Sequence, residues 1–341
     1  MATSSLAGVR VLPRFVFVIS VFSVACLSVC SVAGGAAGNQ ARTQPPSSVQ
    51  LETLPVQGNV SVITGAGANI VVQVGELGAV VVDTGLAQNS AEVVAAVRKL
   101  SSRPIRYIIN THMHPDHTGG NERVAASGQP NSGRGVAQVG VGTTPRAEII
   151  AHDLVLQRMS APGGSEAPMP VGLHPTATYS LPVKEFFTNG EGIQIVHAPS
   201  AHTDGDSLVF FRRSDVIAAG DVYSTVSYPV IDTAHGGSIT GVIAGLNELL
   251  ALAIPGEKTE GGTMIVPGHG RISDEADLVE YRDMVTIIRD RVQDMVKRKM
   301  TLDQIKARNP TMEYDGEYAS APGWTKDQFV EAIYRGLSPA K

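Results

Sequence analysis

The chain changes its hydrophobic rhythm several times. Phe15 to Cys30 is almost continuously apolar, whereas from Val60 onward the apolar residues come in short bursts cut by glycine. Val60-Ser-Val-Ile63, Ile70-Val-Val-Gln-Val74 and Ala79-Val-Val-Val82 are β-branched runs of strand length, and they predict a meander that opens a first sheet. Between Ser90 and Leu100 the period lengthens. Val93, Val94, Val97 and Leu100 share one helical face, so an amphipathic helix is expected to cover that sheet. Pro104 to Asn110 reads as a short buried strand, and Asn121-Glu-Arg-Val-Ala-Ala126 reads as helix. Further buried strands are expected at Glu148-Ile-Ile-Ala151, in the run ending at Val196 and at Val216-Ile-Ala-Ala-Gly220.

The remainder is helical in pattern. Ser238 starts a helix with Ile239, Val242, Ile243, Leu246 and Leu250 on one side. After residue 269 the chain reads as helix to its end, with Leu278, Tyr281, Val285, Ile288, Val292 and Met295 forming a long apolar stripe. That stripe is expected to pack on its own domain and not on a second copy. Thr301 with Gln304, and Thr325 with Gln328, have the spacing of capping boxes, and Trp324 and Phe329 are placed for a hydrophobic staple at the second.

Four of the expected strand ends carry chemistry. Thr111-His-Met-His-Pro-Asp-His117 packs three imidazoles and a carboxylate into seven residues after the strand at 104–110. Imidazole is the commonest protein ligand for zinc-like metals, and Asp supplies a hard oxygen donor. As packing, the cluster would need a hydrogen-bond partner for each ring and a cation beside Asp116. His202 follows the run ending at Val196, Asp221 follows Gly220 at the expected end of a strand, and His269 follows Val266-Pro-Gly268. Each is weak alone; the repetition of strand, turn and donor gives them weight.

In this order, HxHxDH followed by His, Asp and His, the chain resembles the metallo-β-lactamase-fold superfamily from about Asn59 to Arg271. Val80-Val-Val-Asp83-Thr-Gly85 matches that family's early strand-Asp-Thr-Gly element. The resemblance implies an α/β fold, an αββα four-layer sandwich here followed by C-terminal helices, with two metals in a cleft at one edge. Carried over by position, His112, His114 and His202 would hold the first metal. Asp116, His117 and His269 would hold the second, Asp221 would bridge both, and Asp83 would support the metal loop from behind. The cofactors implied are two divalent ions, zinc first, with iron or manganese as alternatives.

Such a ligand set leaves open coordination positions, and a metal brings the pKa of bound water from 15.7 to about 7, so hydroxide is available at neutral pH. The expectation is a binuclear hydrolase of a small ester, lactone, thioester or amide, with Asp116 also orienting the attacking hydroxide. A bridging Asp221 resembles hydroxyacylglutathione hydrolases and lactonases. Zinc β-lactamases carry Cys or another residue there, and the two cysteines of this chain, Cys26 and Cys30, both precede the domain. The alternatives are an iron-dependent persulfide dioxygenase-type oxidoreductase of the same fold and a zinc β-lactamase. Tyr228 to Ser238 resembles an exported subgroup of bacterial metallo-hydrolases.

Other polar residues receive expectations as well. His152 reads as a cap or core residue at a strand-to-helix junction, and His197 as the partner of a backbone carbonyl. His174 is expected to be exposed, and His235 and Tyr228 are candidates for substrate contact. The Gly-rich stretch from 126 to 145 is read as a surface excursion or a flap over the cleft. The Pro-rich stretch from 162 to 182 is read as irregular.

Composition changes the picture at two points. With 43% hydrophobic and 17% charged residues in 341, the chain can bury a sizeable core. Its net charge of −5 argues against a nucleic-acid partner, leaving a small-molecule substrate. Arg10 and Arg14, the short apolar run behind them and the small residues up to Ala37 describe an export signal. Its removal would take the charge from −5 to about −7, and both cysteines with it. The expected organisation is an export signal at 1–37, a linker at 38–50, a metallo-β-lactamase-like domain at 51–300 and a helical extension packed on it at 301–341. A periplasmic or secreted protein is implied, or a membrane-anchored one if the segment is uncleaved.

Overall fold

A computed structural model describes residues 50–130, 145–161, 166–258, 261–318 and 323–338. The expected leader, nearly all of the linker and the middle of the Gly-rich excursion lie outside the described residues.

Among the described residues, seven strands form a first sheet in sequential order. These are β1 (Glu52–Gln57), β2 (Val60–Thr64), β3 (Ile70–Gly75), β4 (Gly78–Val82), β5 (Ile105–Ile109), β6 (Glu148–His152) and β7 (Ala177–Tyr179). The first four pair antiparallel, as the glycine-punctuated meander requires, and β4 to β7 run parallel. Parallel strands need crossovers, and α1 (Ser90–Leu100) supplies the one between β4 and β5. Helix-covered parallel strands are buried on both faces, which is why Gly78–Val82 is a continuous apolar run without alternation. The expected meander and the helix behind it are both present. β1 was not anticipated, because Glu52 to Pro55 is exposed and carries no apolar alternation. β7 falls inside the Pro-rich stretch expected to be irregular; its three residues are held as an edge strand by parallel pairing with β6.

Two short helices follow β5, α2 (Pro115–Thr118) and α3 (Asn121–Ala126), and α4 (Asp153–Ser160) follows β6. The second sheet holds β8 (Val183–Thr188), β9 (Glu191–His197), β10 (Ser207–Phe211), β11 (Val216–Ser224) and β12 (Met264–His269). Its spatial order is β12-β11-β10-β9-β8. Helices α5 (Ile239–Leu252) and α6 (Glu275–Lys297) cover it, followed by α7 (Leu302–Ala307), α8 (Asp315–Tyr318) and α9 (Lys326–Leu337).

The core sits in three apolar layers. Val62, Val71, Val82 and Ile109 of the first sheet meet Ile195, Val209, Phe211 and Val266 of the second. The outer face of the first sheet packs Val72, Val81 and Ile108 against Val93 and Val97 of α1. The outer face of the second packs Leu208, Ile217 and Ile265 under Val242 and Leu246 of α5, and under Leu278, Val285 and Ile288 of α6. Helix, sheet, sheet and helix thus form the four-layer sandwich expected.

The long stripe on α6 is internal, with α9 beside it: Tyr281, Ile288, Val292, Phe329 and Ile333 share one cluster. Fully burying one large apolar side chain contributes roughly 1.5–3 kcal/mol. An exposed ion pair such as Arg298–Asp294 contributes about 0–1 kcal/mol, so packing fixes this helix. Both expected capping boxes form, at Thr301 and Thr325. Among the described residues no helix is long and apolar enough to cross a membrane.

Candidate metal centre

Strand β5 ends at Ile109, and the backbone leaves it as the HxHxDH loop. Met113 is buried against Ala151, Val155 and Met159, so the flanking His112 and His114 are presented elsewhere. Pro115 occupies the first turn of α2, where its fixed φ and missing N–H suit a helix start. That single turn places Asp116 and His117.

The other donors come from the second sheet. His202 lies in the loop between β9 and β10, and His269 is the last residue of β12. Asp221 departs from expectation: β11 does not end at Gly220 but continues to Ser224. The pairing with β12 shifts register on both sides of Gly220, whose φ is +51°. A bulge of this kind bends the strand and re-aims the next side chain. A Cβ at Gly220 would meet the Thr111 side chain at 2.7 Å, so glycine also permits the close approach of the two sheets there.

These four segments converge. His112 Nε2 and His114 Nδ1 are 3.1 Å apart, and His114 Nδ1 and His202 Nε2 are 2.9 Å apart. On the other side His269 Nε2 lies 3.2 Å from Asp116 Oδ2, and His117 Nε2 lies 3.8 Å from the same oxygen. Asp221 stands between the groups. Its Oδ2 is 4.0 Å from His112 Nε2 and 3.7 Å from His202 Nε2. Its Oδ1 is 3.1 Å from His117 Nε2 and 3.5 Å from His269 Nε2.

The residues behind the donors settle which ring nitrogens face inward. Asp83, with a φ of +62°, accepts hydrogen bonds from Thr111 N–H at 2.8 Å and Thr111 Oγ1–H at 2.7 Å, and His117 Nδ1 is 2.8 Å away. With Thr111 Oγ1 committed as a donor to Asp83, it accepts from His112 Nδ1 at 3.1 Å. His202 Nδ1 donates to the Val230 carbonyl at 2.7 Å. For His112 and His202 this leaves the inward nitrogen as a lone pair.

The donor set fits a pair of cations. His117 Nε2 and Asp221 Oδ1 are both buried and have no hydrogen-bond partner, although buried polar atoms are nearly always satisfied. Ligands on a tetrahedral zinc with bonds of about 2.0–2.1 Å stand about 3.3 Å apart, close to the 3.1 and 2.9 Å that separate His114 Nδ1 from the other two inward nitrogens. Burial pushes His112 well below its ordinary pKa and His202 down to about 4, favouring the neutral ligating form. Burial also acts against a proton on His117 and His269. Their carboxylate neighbours outweigh it, and His269 rises to about 9. Positive charge is therefore favoured beside Asp116 and Asp221.

Other expectations fare differently. His152 is the N-cap of α4, accepting from Leu154 N–H at 3.3 Å, and its ring stacks on His197 at 3.7 Å. His197 Nε2 donates to the Asp204 carbonyl at 2.7 Å, as expected. His174 is not exposed but half-buried, because its Nε2 donates to the Met169 carbonyl at 3.0 Å. Tyr228 was a candidate for substrate contact; the fold instead buries it to 1% exposure. Its hydroxyl donates towards the Thr311 carbonyl and Asp315, and its ring stacks on Phe329 at 5.1 Å. The C-terminal helices use that side chain as packing. His235 does reach the cleft edge, its ring centroid 6.4 Å from that of His114.

Asp232 is the residue that sequence reasoning missed. Its Oδ2 lies 2.9 Å from His114 Nε2 and 2.6 Å from His235 Nδ1. Burial opposes its ionisation, but hydrogen bonds from the two histidines hold its pKa well below the usual carboxylate range. A lone Asp in a loop gives no sign of where its carboxylate points.

Comparison with known proteins gives a consistent picture. The model of the metallo-beta-lactamase superfamily matches residues 55–269. A linear primary-alkylsulfatase from Pseudomonas sp. is 24% identical over 269 residues, covering 67% of this chain and 47% of that protein. Among solved structures, a metallo-beta-lactamase from Pontibacter korlensis superposes with a TM-score of 0.51 at 17% identity, covering 70% of this chain and 99% of that one. The sec-alkylsulfatase Pisa1 from Pseudomonas sp. superposes at 0.57 and 15% identity, covering 84% and 50%. The chain thus spans about half the length of the alkylsulfatases it matches, and at these identities the structural likeness shows the fold.

Proposed function

Because the chain belongs to the metallo-beta-lactamase superfamily, a family of metallo-hydrolases, we propose that it is a binuclear metal-dependent hydrolase of a small ester, lactone, thioester or amide bond. The observation that carries this reading is Asp221, whose two oxygens face two separate donor groups with no hydrogen bond to either neighbour at Oδ1. In the proposal His112, His114 and His202 would hold one cation, Asp116, His117 and His269 would hold the other, and Asp221 would be shared between them. Two divalent ions bound there would supply Lewis acidity and a water that ionises near neutral pH.

The chain's own residues do the rest. Asp116 keeps 32% of its side chain exposed at the cleft, where its carboxylate would accept a hydrogen bond from the attacking water and orient it. Asp83 and Thr111 hold the loop so that no reorganisation is needed when substrate arrives. Carboxylic esters, lactones and thioesters remain within this reading. The alkylsulfatase relative adds the sulfate ester, whose tetrahedral sulfur would sit in the same cleft. The single-iron dioxygenase alternative needs only a three-ligand set, which leaves Asp116, His117 and His269 without a task. For export, the support is the basic, apolar and small-residue order before Ala37.

Elemental analysis combined with a hydrolysis panel of lactones, thioesters, alkyl sulfates, β-lactams and phosphodiesters tests the proposal. Two zinc ions per chain with turnover of one of the first three classes is the expected result. One iron, with oxygen consumed on a persulfide, would replace it.

A further inference from the structure

The segment Val230 to His235 is not used by the proposed hydrolysis, yet it touches two of the three imidazoles of the first group. Its backbone is fastened to the His202 loop: Asp232 N–H donates to the His202 carbonyl at 2.9 Å, and Asp204 N–H donates to the His235 carbonyl at 2.9 Å. Gly237 permits this approach, since a Cβ there would stand 2.1 Å from the His202 carbonyl oxygen. The Val230 carbonyl takes the outward N–H of His202 at 2.7 Å. The Asp232 carboxylate takes the outward N–H of His114 at 2.9 Å.

Asp232 is itself held from three sides. Its Oδ1 accepts from the N–H groups of Ala234 and His235, each at 3.1 Å, and its Oδ2 accepts from His235 Nδ1 at 2.6 Å. His235 is 6% exposed, and its remaining nitrogen lies 3.3 Å from Glu166 Oε2. A ring so enclosed is poorly placed to meet substrate and well placed to fix a carboxylate.

We infer that Asp232 is a positioning residue for the first metal group, locking the His114 ring with Nδ1 inward, and that His235 acts on the site by clamping Asp232 through Nδ1. The inference rests on the binuclear reading above. A metal-ligating imidazole gains basicity and a fixed orientation when its other N–H meets a carboxylate, and loss of such a partner typically lowers metal affinity about 10–100-fold.

The test uses the purified full chain and Zn2+, with affinity read by chelator competition and ligand geometry by the visible spectrum of the Co2+-loaded form. Asp232→Ala is expected to weaken one zinc equivalent by about 10–100-fold, to leave the other near its original affinity and to shift the Co2+ bands. Asp232→Asn, which keeps an oxygen for the ring N–H but removes the charge, falls between. The His235 series separates clamping from substrate contact. An Asn amide nitrogen sits near the place of Nδ1 and a Gln amide nitrogen near that of Nε2. His235→Ala should weaken zinc binding, His235→Asn should restore it, and His235→Gln should not. Circular dichroism of the metal-free variants checks folding, and if Asp232→Ala does not fold, the Asn and Gln exchanges at 235 carry the test.

Restoration by Gln in place of Asn overturns the inference, as does wild-type zinc affinity in both Asp232→Ala and His235→Ala. If those variants behave as wild type while His202→Ala loses one equivalent, the inference fails and the binuclear reading stands. If the wild-type chain itself binds no second zinc, both fall.

Discussion

The two halves of the candidate metal centre differ in what stands behind them. In the first, His112 and His202 are almost wholly buried, and the outward nitrogens of His112, His114 and His202 meet Thr111, Asp232 and the Val230 carbonyl. In the second, His117 alone is backed in this way, by Asp83, while His269 and Asp116 keep 34% and 32% of their side chains exposed. The first half is thus fixed by three segments of chain before any ion arrives. The second is fixed on one side and open on the other, where water and substrate enter. Pre-organisation lowers the ordering that binding demands, so the first half should bind more tightly and the second exchange more readily.

The sharpest way to break this comparison is Asp221→Ala. Its two oxygens serve the two halves, so both zinc equivalents should weaken by more than the about 10–100-fold expected for an outer partner. Hydrolysis should fall below detection. Metal analysis after gel filtration reads the outcome, and retention of one tight equivalent would remove the bridging role.

Next come the single-half variants. His202→Ala should abolish the tighter of two equivalents in a zinc titration. His269→Ala should abolish the weaker one and leave the tighter intact. The reverse order would show that the outward partners do not set affinity.

Asp83→Ala should come third, and its readout is stability as well as metal. Three donors, two from Thr111 and one from His117, would lose their acceptor in a buried place. At about 1–3 kcal/mol for each buried group left unsatisfied, the metal-free protein should lose several kcal/mol in urea denaturation. A loss under about 1 kcal/mol would mean that water or a neighbour replaces the carboxylate.

How much of this was legible beforehand follows from the same asymmetry. Ligand residues are dense, so His112, His114, Asp116 and His117 announce themselves as a cluster. His202, Asp221 and His269 follow by the repeated context of apolar run, turn and donor, although Asp221 proves to lie within β11 and not at its end. The helices and the meander are written in apolar periodicity. Partners behind the ligands are scattered single residues whose roles depend on loop paths. Asp83 was found through a resemblance, but Asp232 and the Val230 carbonyl have no local signal at all. Tyr228 misled because its place in the sequence is near the site, while a side chain's direction there is set by α9. β1 escaped because an exposed edge strand carries no alternation.

Removal of metal gives a smaller effect and tests both halves together. A ligand held at 100 times its Kd stabilises the folded state by about 2.7 kcal/mol. Chelation should therefore lower the melting temperature, with a shallow step at low chelator as the open half empties and a larger one as the enclosed half empties. A single step would make the halves equivalent.

The smallest effect concerns a pair of buried carboxylates, one per half-loop. Asp83 holds Thr111 beside His112, and Asp206 holds Thr203 beside His202 by accepting its N–H and Oγ1–H, each at 2.7 Å. Asp83 also has an imidazole partner; the partners of Asp206 are neutral donors. Burial therefore pushes Asp206 up to about 8 against its ordinary 3.8, despite the hydrogen bonds from Thr203 that work the other way. The folded state then holds this proton more tightly than the unfolded chain does. Its contribution to stability is complete below about pH 4 and is lost as pH rises through 8, with a slope of at most about 1.4 kcal/mol per pH unit. Asp206→Asn, neutral at every pH, should flatten that part of the profile in chelator-treated protein and change stability little near pH 5. Urea denaturation at a series of pH values between 4 and 9 measures it. A variant whose profile parallels the wild type would mean that Asp206 is ionised in the folded protein, and that a charge, not a proton, holds Thr203 in place.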